Sequence, residues 1–105
     1  METLNKAQLK FLRKTSHAHK SLFQMGKLGL TESFMEQVDS ALEKRELIKF
    51  HILQNSDEDL QDVAQTIANQ VNAIIVQVIG STAILYRPSS KEKYQEISKE
   101  VTKLG

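Results

Sequence analysis

The sequence predicts a single α/β (α+β) domain in which a mixed four-stranded sheet is covered by helices. Three observations predict it. Apolar residues recur at helical spacing in three stretches, each leading to a short apolar run suited to a strand. Two β-rich runs flank Gly80-Ser81, the chemistry of a two-residue hairpin turn. The chain has 105 residues, enough for folding to hide roughly two thirds of the unfolded surface in one core.

The elements follow in the order helix, strand, helix, strand, helix, strand, strand and a tail helix. "LNKAQLKFLRKTSHAH" reads as a helix, with Leu4, Ala7, Phe11 and Leu12 facing a core. Lys6, Lys10, Arg13 or Lys14, and His17 step three or four residues apart and make a basic stripe. "SLFQM" suits a buried strand, although pattern does not separate strand from helix over so short a run. Thr31 is a good N-cap for the second helix, Glu32 suits its positive end, and Leu30 and Met35 stand at the positions of a hydrophobic staple. Phe34, Val38, Ala41 and Leu42 form the buried stripe of that helix; Glu36, Asp39 and Glu43 form a solvated one, and it should stop near Arg45.

"ELIKFHIL" reads as a strand with Ile48, Phe50 and Ile52 on one side and Lys49 and His51 on the other. Ser56 and Asp59 resemble a capping box opening a third helix, whose apolar face is Leu60, Val63, Ala64, Ile67 and Val71. In the hairpin, Val76 is expected opposite Leu85, Val78 opposite Ala83 and Ile74 opposite Arg87. Pro88 ends the last strand because it cannot donate to a ladder. The remaining "SSKEKYQEISKEVTKLG" is a polar helical tail with a thin seam of Tyr94, Ile97, Val101 and Leu104. The expected division is a domain over 1–88 and a tail over 89–105, docked or frayed, with a partner helix as the less favoured reading.

Composition narrows the function. There is no cysteine, so disulfides and thiolate metal sites are excluded. No apolar run reaches the roughly 18 residues of a membrane span, and the charged N-terminal segment is no secretory signal; a cytoplasmic protein without a membrane partner is expected. Net charge is only +1, but residues 1–27 carry Lys6, Lys10, Arg13, Lys14, Lys20 and Lys27 against Glu2 alone, whereas 55–72 carry Asp57, Glu58, Asp59 and Asp62 and no base. The leading cationic segment suits an anionic partner.

That segment runs into "FQMGKLGLTESF". Gly26 and Gly29 can simply serve a turn. Their context favours an anion: the loop leads into a helix N-terminus with free N–H groups and partial positive charge, and Lys27 adds a full charge. Glycines without side chains let a phosphate backbone come close. The loop does not match a P-loop, since Leu28 follows Gly-Lys, nor a dinucleotide fingerprint, since the third glycine is missing. His17, His19 and His51 do not make the three or four convergent ligands of a metal site, and the acids of 57–62 read as the start of a helix. No metal, cofactor or small-molecule substrate is expected. Phe50 and Tyr86 can stack bases, but alternating strand positions favour the core. Arg87 fits either a phosphate contact or a pairing within the fold.

The basic leading helix, "HAHK", "GKLGLTESF", "ALEKRELIKFHI" and "VQVIGSTAILYRP" together resemble the CRM domain family (chloroplast RNA splicing and ribosome maturation), in its bacterial single-domain YhbY type, over about residues 4–88. The resemblance implies an RNA-binding domain whose fold is similar to the C-terminal domain of translation initiation factor three, with a glycine loop likened to that of KH domains. Bacterial members are associated with precursors of the large ribosomal subunit and plant relatives with intron splicing, so the implied partners are large-subunit precursor ribosomal RNA and the pre-ribosomal particle. Carried over, the family's loop falls on Gly26, Lys27, Leu28 and Gly29, its helix cap on Thr31, its basic position before the strand on Lys20 and its final-strand arginine on Arg87. Leu28 departs from the small or polar residue common at the third loop position, and Ser21 stands where a proline often follows the lysine.

Two functional classes remain open from the residues. One is a non-enzymatic RNA-binding module that uses Gly26, Lys27, Leu28, Gly29 and Thr31 at the loop, with Lys6, Lys10, Arg13, Lys14, Lys20 and Arg87 as the wider cationic surface. The other is a small αβ enzyme acting on phosphate esters or acyl phosphates, with the glycine loop as anion cradle. The second needs a nucleophile or base near the loop, where only Lys27 and Thr31 stand; no catalytic residue is assigned.

Overall fold

A computed structural model describes residues 4–21, 31–52 and 60–105, and the backbone of 24–25. The elements are α1 (Lys6–Ser16), β1 (Gln24–Met25), α2 (Glu32–Arg45), β2 (Leu47–Ile52), α3 (Leu60–Val71), β3 (Ile74–Ile79), β4 (Thr82–Tyr86), a 3-10 turn (Glu92–Tyr94) and α4 (Glu96–Lys103). The expected order is present in full. Leu30 of the staple, Ser56 and Asp59 of the third cap, and Gly26 to Gly29 lie outside the described residues.

The strands form one mixed sheet in the order β1-β2-β4-β3. Three run antiparallel, β2 with β4 and β4 with β3, and the two-residue β1 adds to β2 in parallel. The hairpin's return strand thus inserts between β2 and β3. Its side chains account for the central place: Ala83 and Leu85 are buried in one core cluster, Ile84 and Tyr86 in another. A strand apolar on both faces gains most between two neighbours.

The first cluster packs Phe34, Val38 and Leu42 of α2 and Ile67, Ala68 and Val71 of α3 onto Ile48, Phe50 and Ile52. Phe34 meets Phe50 edge-on, with ring centroids 5.7 Å apart. The second cluster lies on the opposite face, where Leu12 of α1 and Val101 of α4 cover Leu47, Val76, Ile84 and Tyr86. Phe50 and Tyr86 are therefore core residues. Burial raises the Tyr86 phenol to about 12, with the charge of Glu46 adding to the shift. Ala7 is exposed rather than core-facing, since Leu12 and the half-buried Leu4 and Phe11 fill the contact.

The hairpin register differs in part from expectation. Val78 does face Ala83, and the turn is the expected pair, with Gly80 at φ 56°. Positive φ at the first turn residue only is the requirement of a type II′ turn. Ile75, not Val76, faces Leu85, and Ile74 faces Tyr86 rather than Arg87, because a bulge between Ile75 and Gln77 adds one residue to β3. Uninterrupted alternation would put Gln77 on the face of Ile75, under α3. The bulge instead pairs Gln77 with Ile84 on the α1 side, where Gln77 is half-buried beside the buried Val76.

The C-terminal segment is docked. Glu46, fully buried at φ 66°, ends α2, and its carboxylate accepts from the amides of Ser89 (2.7 Å), Ile97 (3.1 Å) and Ser98 (2.9 Å). α4 has no side-chain cap of its own, so Glu46 supplies one from another element. At the far end, Asn5 Nδ2 and Gln8 Nε2 of α1 donate to the carbonyls of Leu104 (3.0 Å) and Val101 (2.9 Å). Of the expected seam, Val101 is buried and Ile97 half-buried, whereas Leu104 is exposed.

Candidate nucleic-acid interface

α1 is held rigidly enough to present charge. Asn5 and Gln8 close a capping box, Gln8 N donating to Asn5 Oδ1 at 2.8 Å and Asn5 N to Gln8 Oε1 at 2.9 Å. Leu12 fixes the inner face. Lys6, Lys10, Arg13 and Lys14 are all exposed, as is Lys20 beyond the helix. Among the described residues none of these five cations forms an ion pair. Arg13 and Lys14 sit in the last turn, where the helix dipole favours them.

The ends of the glycine loop are defined although Gly26, Lys27, Leu28 and Gly29 themselves lie outside the described residues. Met25 pairs with Ile52, so the chain leaves at the C-terminal end of β2. It arrives at Thr31, whose Oγ1 accepts from Phe34 N at 3.0 Å and so caps α2 as expected. α2, which begins after Thr31, lies on the sheet face opposite α1.

Arg87 is engaged within the fold. Its Nη1 meets Asp39 Oδ1 at 2.6 Å and Val71 O at 2.8 Å, and its Nη2 meets Asp39 O at 3.1 Å. It ties α2 to the end of α3, on the side away from α1. An open groove there, between α2 and α3, is lined by Glu32, Glu36 and Asp39 over Met35 and Val71. Asp39 is neutralised by Arg87, and the carboxylates of Glu32 and Glu36 repel a polyanion. The cationic row of α1 and this acidic groove thus lie on opposite sides of the sheet.

Three features escaped sequence reasoning. Glu46 reads as the first residue of a strand, and nothing in its type signals a buried clamp. Glu43 reads as solvated, yet it accepts from Ser89 Oγ (3.1 Å), Ser90 N (2.8 Å) and Ser90 Oγ. The pairing of His51 Nδ1 with Thr82 Oγ1 at 3.0 Å needs the β2–β4 register, which spans 31 residues. A hint for Glu43 and Glu46 lay in Ser-Ser after Pro88, which offers free amides and hydroxyls.

A mixed sheet with a cation-bearing helix on one face, acidic helices on the other and a glycine–lysine loop opening α2 defines a small α/β domain fitted to meet a polyanion. The sequence model of the CRS1 / YhbY (CRM) domain matches residues 4–87, so the chain belongs to that family. It is 41% identical over 90 residues, 86% of this chain and 94% of the relative, to "Probable RNA-binding protein YqeI" of Bacillus subtilis. It is 35% identical over 95 residues, 90% of this chain and 96% of the relative, to a Haemophilus influenzae protein named "RNA-binding protein". The solution structure of the hypothetical protein SAV1595 from Staphylococcus aureus superposes with a TM-score of 0.73 at 40% identity, covering 90% of this chain and 98% of that one.

Proposed function

We propose that this protein binds RNA without catalysing a reaction on it, and that its target is precursor ribosomal RNA of the large subunit during ribosome assembly in the cytoplasm. The observation that carries the reading is the exposed row of Lys6, Lys10, Arg13 and Lys14, unpaired among the described residues, on a helix fixed to the sheet. Relatives at 41% and 35% identity that carry RNA-binding names support the same partner. The ribosomal target follows the family resemblance. In this reading Gly26 and Gly29 leave the main chain bare for a sugar–phosphate strand, Leu28 lies against it, and Lys27 with the amides after Thr31 holds a phosphate. Lys20 extends the cationic surface toward α1. Arg87, engaged with Asp39, supports the helices rather than the RNA.

Recognition through backbone and shape requires few base-reading side chains. Neutralising about four phosphates gives a log–log slope of affinity against salt near −3 to −4. A salt titration of RNA binding measures that slope, and an affinity indifferent to salt would overturn the reading. Crosslinking in cells, followed by sequencing of the attached RNA, tests the target: large-subunit precursor RNA is expected, and scattered messenger RNA would remove the assembly role. A folded Lys27→Glu protein with undiminished affinity would take the loop out of the interface.

A further inference from the structure

The α1 face of the sheet is longer than its cover. Leu47, Ile84 and Tyr86 lie beneath α1 and α4, but two residues beyond Ile84 the face leaves that cluster, and among the described residues His51 and Ile79 are exposed there. There a single register row crosses all four strands: Gln24 with His51, His51 with Thr82, Thr82 with Ile79. With strands about 4.8 Å apart the row is about 14 Å long. His51 is exposed and Thr82 half-buried, and Ile79, 51% exposed, is one of two large apolar side chains left open among the described residues. Lys49 lies one step inward on the same face and is half-buried.

We infer that this row is a nucleotide-binding extension of the RNA interface, taking one unpaired base on Ile79 and its phosphate on His51 and Lys49. The inference rests on the RNA-binding reading and adds a place and a chemistry to it. The hydrogen bond between His51 Nδ1 and Thr82 Oγ1 engages one ring nitrogen of an exposed imidazole and leaves Nε2 as the nitrogen for a ligand. When the threonine hydroxyl donates to Nδ1, Nε2 carries the proton and donates to a phosphate oxygen; when the ring is charged, it does so as well. Lys49 adds a full positive charge. An aliphatic surface beside such donors suits a base, which has an apolar face and a polar edge; a duplex, whose bases are stacked away, would leave Ile79 in water. The row is also placed for a strand already held at the loop. Gln24 is two residues before Gly26, at most about 7 Å of chain. Charge complementarity points to RNA as the occupant, since the unpaired cations of α1 border the same sheet face and the carboxylates of α2 lie on the other.

The test uses the full chain and a short fluorescein-labelled single-stranded oligoribonucleotide of mixed sequence. His51→Ala/Ile79→Ser is expected to bind about tenfold more weakly than the unaltered protein, while remaining folded, with a melting temperature lowered by only a few degrees for the lost Thr82 hydrogen bond and the half-exposed Ile79. The same RNA carrying 4-thiouridine should crosslink to peptides containing His51 or Ile79, a readout independent of whether the double variant folds. If the unaltered protein binds, the variant binds equally and crosslinks are confined to α1 and the loop, the extension is overturned while RNA binding stands. If the unaltered protein binds neither this RNA nor ribosomal precursor RNA, the RNA-binding reading falls and the extension with it.

Discussion

At the scale of single residues, Glu46 combines a left-handed backbone, unfavourable by about 1–2 kcal/mol for a residue with a Cβ, with a carboxylate removed from water. Both are offset by the three backbone amides that donate to it, two of them at the start of α4. Glu46→Ala leaves those amides unmet and should lower unfolding free energy by about 3 kcal/mol, or more than about 10 °C in melting temperature. A loss below about 1 kcal/mol in urea denaturation would mean that other contacts hold the segment. Glu43 makes a pH-dependent counterpart. The hydroxyl and amide of Ser90, then the hydroxyl of Ser89 and the charge of Arg87, hold its carboxyl down at about 2, against an ordinary 4.5. Because the folded value is the lower one, its contribution is present above pH 4.5 and disappears as pH falls toward 2. Glu43→Gln should be less stable than the unaltered protein at neutral pH and should show a flatter dependence of melting temperature across that window. Identical pH profiles would show that the serine contacts do not persist in solution.

Among the elements, α4 and α1 depend on each other. Eight residues are too few for a stable isolated helix. α4 is held by Glu46 at its N-terminus, by Asn5 and Gln8 at its last carbonyls, and by Val101 in the second core cluster. The family match ends at residue 87, so removing 89–105 is a direct measure of what the tail contributes. The shortened chain leaves Glu46 buried without donors or forces it into water, and removes Val101 and Ile97 from the cluster beside Leu12 and the acceptors of Asn5 and Gln8. We expect faster amide exchange throughout α1 and a lower melting temperature, with α2 and α3 less affected because they sit on the other face. Unchanged exchange in α1 would show that the helix needs only Leu12 and its capping box. In the same helix, Lys10→Glu/Lys14→Glu should weaken RNA binding at least tenfold and make the salt slope shallower by about 1.4 to 1.8; equal slopes would remove α1 from the interface.

For the whole molecule, net charge conceals its arrangement. Within a formal +1, Lys6, Lys10, Arg13 and Lys14 gather on α1 while Glu32, Glu36 and Asp62 lie on α2 and α3, and the difference orients the protein on a polyanion. Charge reversal on the acidic side, Glu36→Lys/Asp62→Lys, should therefore leave specific RNA affinity nearly unchanged while raising non-specific binding at low salt. If it altered specific binding as strongly as reversal on α1, the two faces would not be functionally distinct. The sheet is the barrier that keeps them apart.

How far the chain could be read without coordinates follows from the range of each interaction. Helix stripes, the Thr31 cap, the Gly80 turn and the cationic bias of the first segment depend on neighbours three or four residues away or fewer. Those were legible, and with them the order of elements and the family. Three matters depended on distant parts of the chain. The place of β4 between β2 and β3 followed from its being apolar on both faces, which matters only when two layers compete for it. The bulge that displaced Val76 from Leu85 arose because Gln77 would otherwise lie under α3. The engagement of Arg87 with Asp39 and of Glu46 with Ser89, Ile97 and Ser98 spans 43 to 52 residues. Local pattern records what a residue prefers; its partner is set by packing, since burial leaves a polar group no alternative but the nearest donor or acceptor the fold supplies.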